Sequence, residues 1–311
     1  MIPDRNEYPS VSVIVPVYNG EATIQELLDS LSHLEYPLER IEIIIVDNNS
    51  TDHSIDITKR YPVTILREKY IQSSYAARNC GTEIARGDFL AFTDADCIVT
   101  SSWLSKLLDH HQDETIGIFA GEIRSYSQSS LIERFGEMEG ILDQKRFLKY
   151  EYMPYAVTAN MVVRKELFKK IGGFNASLTS GGDADFCWRL QKETSSRIEY
   201  VPDAIVFHKH RHSVRSLYQQ FRKYGRGVYY LQKLHPEAYP LVSTYWWWKD
   251  AQTHFGEGAR KLCERFRGTS KQDSPDWTFS FLRALCFFGL AMGRVDAILN
   301  ERYRKGSKHV V

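Results

Sequence analysis

The first part of the chain alternates between two hydrophobic periods. "VSVIVPVYN" is a short β-rich run, and in "EATIQELLDSLSHL" the residues Ile24, Leu27, Leu28, Leu31 and Leu34 recur at helical spacing. "IEIIIVDNNSTD" reads as a near-continuous apolar strand ending in a polar cluster, "HSIDITKRY" as a short helix and "VTILRE" as a strand. "SSYAARNCGTEIARG" predicts a helix closed by Gly87, and "DFLAFTDAD" the next strand. Apolar strands alternating with helices predict an α/β fold, a mostly parallel sheet covered by helices on both faces. In such sheets ligands gather at the carboxyl ends of the strands. "PVYNGE", "VDNNSTD" and "TDADC" lie at three of those ends, so they should converge in one crevice.

After Pro154 the pattern changes. "ANMVVRKELFKKIGGF" reads as strand, short helix and glycine turn, and "TSGGDADFCWRLQKE" as a glycine-rich loop entering a helix. "IEYVPDAIVFHKHRH" reads as a strand pair ending in three histidines, and "SVRSLYQQFRKYGRGVYYLQKL" as a basic, aromatic helix. From about Leu241 the character shifts again, to "YWWWKD" and "FLRALCFFGLAMGR". The expected organisation is a domain over 1–240, in halves of about 10–120 and 121–240, followed by a helical, aromatic-rich extension over 241–311.

Composition narrows the function classes. The 311 residues are 43% hydrophobic and 25% charged, ordinary globular usage that supports a large core. Forty basic and thirty-nine acidic residues nearly cancel, so nothing global argues for a nucleic-acid partner. Five scattered cysteines without a CxxC pair read as small buried hydrophobes in a reducing compartment. The N-terminus has no basic and apolar leader pattern, and no run reaches the roughly 18–20 apolar residues of a membrane span. A cytoplasmic protein is expected.

The candidate chemistry starts at "AFTDADCIV". Residues two apart on a strand face the same way, so Asp94 and Asp96 should point together, and two close anions need a positive partner. The turn after the first strand, "PVYNGEAT", holds one glycine, so the GxGxxG dinucleotide turn is absent, as is a GxxxxGK[ST] phosphate loop. If backbone amides do not hold a diphosphate, Mg²⁺ or Mn²⁺ on the two carboxylates would do so, because hard oxygen ligands shared with substrate phosphates suit these ions.

"VSVIVPVYNGE", "IIIVDNNSTD", "AARNCGTEIARGDFLAFTDADC", "IGGF" and "SGGDADFCWRL" follow one another as in the family 2 glycosyltransferases, which the chain resembles over about residues 10–230. The resemblance implies a GT-A fold, a nucleotide-sugar donor, a divalent metal and inversion at the anomeric carbon. It implies that Pro16, Val17 and Tyr18 line the base pocket with Glu21 nearby, and that Asp47 accepts a hydrogen bond from the base, typically the uracil imide. Arg78 would brace the nucleotide side, Asp94 approach ribose and metal, Asp96 bind the metal directly, and Asp183 act as general base. His208 is the best match for a histidine that completes the metal site or touches the diphosphate. One departure is visible: the family often has Glu-Asp where this chain has Gly182-Asp183.

Each of these residues also has a structural reading. Asp183 at a glycine-rich helix entry could be an N-cap, and Asp47 in "DNNSTD" an ordinary Asx turn. Asp185 reads as structural support. His210 and His212 read as solvated or phosphate-facing. In "QQFRKYGRG", Gln219 and Arg222 have QxxR spacing, and Gln220, Lys223 and Tyr224 a QxxKY variant; a solvated basic face and a mobile lid both fit. The aromatic tail reads as packed on the catalytic domain, docked on a partner, or resting in a membrane interface. The expected function is transfer of a sugar, most simply from a UDP-sugar, to a glycan, lipid-linked or protein hydroxyl acceptor in cell-surface glycan or glycolipid assembly. A nucleotidyltransferase and a non-enzymatic sugar-nucleotide scaffold are the alternatives.

Overall fold

The computed structural model describes residues 8–238, 243–267 and 277–306. The chain divides into two compact units, Met1–Ser127 with Gly140–Lys209, and Gln128–Glu139 with His210–Val311. The domain boundary expected at 240–241 lies outside the described residues.

The first unit is built on one sheet. Its strands are β1 (Val11–Val17), β2 (Ile41–Asp47), β3 (Thr64–Arg67), β4 (Phe89–Phe92), β5 (Cys97–Val99), β6 (Ile116–Ser125), β7 (Met161–Arg164) and β8 (Arg197–His208). They lie in the order β3-β2-β1-β4-β7-β6-β8-β5. Strands β3, β2, β1 and β4 run parallel, as their near-continuous apolar sequences predict. Strand β7 is antiparallel to both β4 and β6, β8 is parallel to β6, and β5 is antiparallel to β8. The result is a mixed sheet.

Helix α1 (Ile24–Ser32) buries Ile24, Leu27, Leu28 and Leu31, the stripe its spacing predicted. Each such side chain contributes about 1.5–3 kcal/mol when fully withdrawn from water. This stripe packs with Val11, Val13, Val15 and Val17 of β1 and with Trp103 and Leu104 of α4 (Trp103–Leu107). The remaining helices of this unit are α2 (Ser54–Thr58), α3 (Ser74–Ile84), α6 (Gln144–Leu148), α7 (Lys165–Lys170) and α8 (Gly182–Thr194).

Two local expectations change. Helix α3 ends at Ile84, capped by Ala85, so Gly87 does not close it. Gly87 is instead a point of close backbone approach, where a Cβ would meet the Ser12 nitrogen at 2.5 Å. The supposed strand pair "IEYVPDAIVFH" is the single strand β8, whose pairing with β6 slips from Gly121–Val201 to Glu122–Ile205. Pro202 lies in that slip, and proline has no N–H to give a ladder.

The second unit is helical: α5 (Leu131–Met138), α9 (Val214–Leu234), α10 (Thr244–Phe266) and α11 (Trp277–Gly306). Glycines let α9 and α11 approach at backbone distance. A Cβ on Gly225 would fall 2.1 Å from the Leu290 oxygen, and one on Gly293 would fall 1.9 Å from the Arg222 oxygen. A bidentate Arg222–Asp296 pair, at 2.7 and 2.9 Å, pins the same crossing. Arg222 is thus paired within the helical unit, with its side chain about a third exposed.

Candidate functional site

The carboxyl ends of β1, β2 and β4 lie side by side, and their polar loops meet as expected. Asn19 and Asn49 take left-handed φ values of 50° and 67°, which asparagine tolerates well, and these turn the chain off β1 and β2. The Asn19 amide donates to the Ser50 hydroxyl at 3.1 Å, and the Gly20 amide to the Ser54 hydroxyl at 2.7 Å. Glu21 belongs to this stitching: its amide donates to Asp52 at 3.0 Å, and its carboxylate accepts from the His53 amide at 2.9 Å. Asp47, 5% exposed, accepts from the Ser50 amide at 2.8 Å and faces Arg67 Nε at 3.4 Å. Its turn role and its place at the carboxyl end of β2 thus coexist. Of the three residues after the strand core, Pro16 is half-buried and Tyr18 exposed, while Val17 turns into the core.

Strand β4 stops at Phe92, so Asp94 and Asp96 lie in the turn before β5. Strand alternation does not govern them, and each takes a different partner. Arg78, 2% exposed on α3, reaches Asp94 through its Nη2. Asp96 Oδ1 lies 3.4 Å from His208 Nε2, at the end of β8, and its backbone carbonyl accepts from the Lys209 amide at 3.0 Å. Cys97, the first residue of β5, is buried, and burial, then the Asp94 and Asp96 charges, push its thiol well up, which keeps it protonated.

Among the described residues, no group of three or more His, Cys, Asp or Glu side chains could cage a metal. Asp96 and His208 do offer one carboxylate oxygen and one imidazole nitrogen side by side. That pair fits an ion which takes its other ligands from a bound diphosphate.

Asp183 is the second residue of α8, and Gly181, at φ 79°, occupies the N-cap with no side-chain cap bond. Asp183 is thus no cap. It accepts from the Thr158 hydroxyl at 3.0 Å and interacts with the Tyr75 hydroxyl. Its carboxyl is pushed up to about 6, mainly by burial and further by Asp94, against the restraint of Arg78, Thr158 and Tyr75. A carboxylate titrating there is ionised at neutral pH yet basic enough to accept a proton. Asp185 instead forms a two-pronged pair with Arg189, at 2.9 and 3.0 Å. Arg189 in turn donates to the Ile171 and Gly173 carbonyls and fixes the glycine turn.

A family model described as glycosyl transferase family 2 matches residues 12–172, a span that takes in the first four motifs in whole or part, while "SGGDADFCWRL" lies beyond it. The chain belongs to that family. It is 31% identical over 226 residues to glycosyltransferase AglE of Haloferax volcanii, covering 70% of this chain and 73% of that one. It is 29% identical over 249 residues to the pre-mycofactocin glycosyltransferase of Mycobacterium tuberculosis, covering 77% of this chain. This chain spans about half, 51%, of that mycobacterial relative's length. Among solved structures, a mannosyltransferase of Pyrobaculum calidifontis, in complex with GDP-Man and Mn²⁺, superposes with a TM-score of 0.57 at 18% identity. That likeness covers 97% of this chain and 78% of the other. TarS 1–349 of S. aureus, in complex with UDP-GlcNAc, gives 0.51 at 19% identity, covering 96% and 92%. These likenesses establish the fold, the GT-A arrangement with C-terminal helices.

In this family 2 chain the three histidines separate. His208 ends β8 beside Asp96. The His210 side chain is buried in the second unit, packed on Gly136 with Glu137 at 3.7 Å, while His212 is exposed. Thr158, Tyr75 and Arg67 are the site residues that sequence reasoning missed. Tyr75 carried a readable signal, since it lies three positions before Arg78 and so shares its helix face. Thr158 carried none, because a short 3₁₀ turn (Thr158–Asn160) delivers it.

The missing glutamate at 182 has a steric reason. A Cβ on Gly182 would lie 2.7 Å from the Tyr75 ring.

Proposed function

We propose that the protein is a metal-dependent inverting glycosyltransferase that moves a sugar from a UDP-sugar to a hydroxyl acceptor, in cell-surface glycan or glycolipid assembly. The observation that carries this reading is Asp183: a carboxyl raised to about 6, held by Thr158, beside the Arg78–Asp94 pair. As the acceptor oxygen bonds to the anomeric carbon, its proton passes to Asp183. The bond from that carbon to the diphosphate breaks, and the diphosphate leaves with the electron pair from the opposite face. Asp96 and His208 would hold Mn²⁺ or Mg²⁺, which supplies positive charge to the leaving group. Arg78, through Asp94, braces the ribose side, and Asp47 accepts a hydrogen bond from the base imide N–H next to Arg67. Pro16 and Tyr18 flank the base, with Val17 behind them and Glu21 fixing the loop. Selectivity for sugar and acceptor falls to the stretch from Glu122 to Ala159.

The solved structures that share this fold include a complex with UDP-GlcNAc and one with GDP-Man, so both nucleotides belong in the test. No helix among the described residues is long and apolar enough to cross a membrane. Helix α10 does expose Tyr245, Trp246 and Trp248, and Lys249 lies over the Trp246 ring, amphipathic groups that suit a membrane interface. These exposed aromatics support a peripheral contact at a membrane face, where an acceptor on a lipid carrier would be met.

A thermal-shift panel of UDP, UDP-sugars and GDP-mannose, with and without Mn²⁺, tests the assignment, because stabilisation grows with ligand concentration over Kd. The expected result is Mn²⁺-dependent stabilisation by a uridine nucleotide that Asp96→Ala abolishes. Stabilisation that is indifferent to Mn²⁺ and to Asp96→Ala would remove the metal from the proposal.

A further inference from the structure

Helix α3 joins the donor side of the site to the loop that delivers Asp183. Three of its side chains make the connection. Ser73, the N-cap of α3, accepts from the Tyr75 amide and donates to the Leu178 carbonyl at 2.6 Å. Asn79 donates to the Phe174 carbonyl at 2.7 Å and accepts from the Phe174 amide at 3.0 Å. Between them Tyr75, 5% exposed, sets its ring 5.6 Å from that of Phe174 and fills the space where a side chain at Gly182 would stand.

Tyr75 also touches both charged parts of the site. The Arg78 guanidinium lies 5.6 Å from its ring centroid. Its ring lies against the start of α8 at Gly182, and its hydroxyl stands among the Gly182 and Asp183 backbone N–H groups and the Asp183 carboxyl. Those amides are among the four at a helix start that have no partner within the helix. A phenol placed beside them favours one height and rotation of the first turn of α8, and with it the direction in which Asp183 points. The ring alone would not do this, because it constrains the turn only by contact.

We infer that Tyr75 is a positioning residue for transfer, holding Asp183 in register with Arg78 through the side-chain space left open by Gly182. This rests on the reading of Asp183 as the general base. The groups facing the Asp183 carboxyl are Tyr75 and Arg78 from α3, Thr158 from the 3₁₀ turn, and Asp94 from the turn after β4.

Tyr75→Phe keeps the ring and removes the hydroxyl. The measurement is nucleoside diphosphate release from UDP-glucose, UDP-N-acetylglucosamine and GDP-mannose with Mn²⁺, alongside the Kd for UDP. Turnover should fall about ten- to a hundredfold, the cost of a small misplacement of a reacting group, while the Kd stays within about twofold. Gly182→Ala, which pushes a methyl into the ring, should do the same, and it serves if Tyr75→Phe does not fold. The double variant should lose no more than the worse single, because both changes break one contact. Wild-type turnover in Tyr75→Phe, an equal loss of turnover and UDP affinity, or losses that multiply in the double variant would each overturn the inference. Asp183→Asn separates the two readings. If it is inactive while Tyr75→Phe is fully active, only the role of Tyr75 fails; if it turns over normally, the base assignment itself fails.

Discussion

Asp183→Asn should make the protein more stable and less active, and the two signs together are hard to obtain any other way. The carboxyl has its pKa raised from 3.8 to about 6, with burial the main cause. About two units at ~1.4 kcal/mol each give an upper figure of about 3 kcal/mol for holding the ionised group in place. Asp183 keeps some exposure, and solvent screening brings the figure to about 1–2 kcal/mol. The folded state binds the proton more tightly than the unfolded chain, so this cost is absent below the unfolded pKa near 4. It grows as pH rises and is complete above about 6. Asparagine keeps the shape and an oxygen for the Thr158 hydroxyl but carries no charge. For a unit of about 200 residues the gain corresponds to a Tm about 3–6 °C higher at pH 8 and unchanged at pH 4. Turnover of the responding donor should fall about 10²–10⁴-fold, the usual contribution of a general base. Scanning calorimetry at the two pH values and a nucleotide-release assay measure both quantities. A variant that is inactive and also less stable at pH 8 would show that Asp183 is a structural residue, and the mechanism would fall with it.

The rate of transfer should itself decline as pH falls through about 6, because the base must be deprotonated to act; a pH–rate profile flat between about 5 and 8 would contradict this. Arg78→Met leaves Asp94 facing Asp183 without the intervening cation. With Asp94 30% exposed, the loss should be about 2–3 kcal/mol by urea unfolding, together with loss of UDP binding. Gly293→Val drives a side chain into the α9 backbone and should destabilise the helical unit by about 1–3 kcal/mol, read as an earlier loss of helical circular dichroism.

Much of the first unit was legible because its elements answer to local periodicity. The α1 stripe, the β1 and β2 runs and the glycine turn at Gly172 and Gly173 appear where their patterns predicted. The ends of elements were less legible. Gly87 looked like a helix stop but is required by the Ser12 backbone beside it, and Pro202 interrupts a ladder without ending β8. Both depend on a neighbour distant in sequence. Nothing in residues 128–139 shows that they group with the C-terminal helices.

By itself the sequence determined the family, the parallel run of the first strands, and the polar clusters at their carboxyl ends. Those follow from hydrophobic alternation and from short motifs whose residues are adjacent in the chain. Only the tertiary structure decided how the charges are shared. Asp94 and Asp96 sit two residues apart, yet one faces a buried arginine on α3 and the other a histidine at the end of β8. Asp183 read as a cap or a base, and the fold removes the first role: Gly181 holds the cap position, and the Thr158 hydroxyl donates to the Asp183 carboxyl. The physical reason is common to all three. A carboxylate's role is set by which groups withdraw its water and which return charge to it, and here those groups come from other elements of the fold.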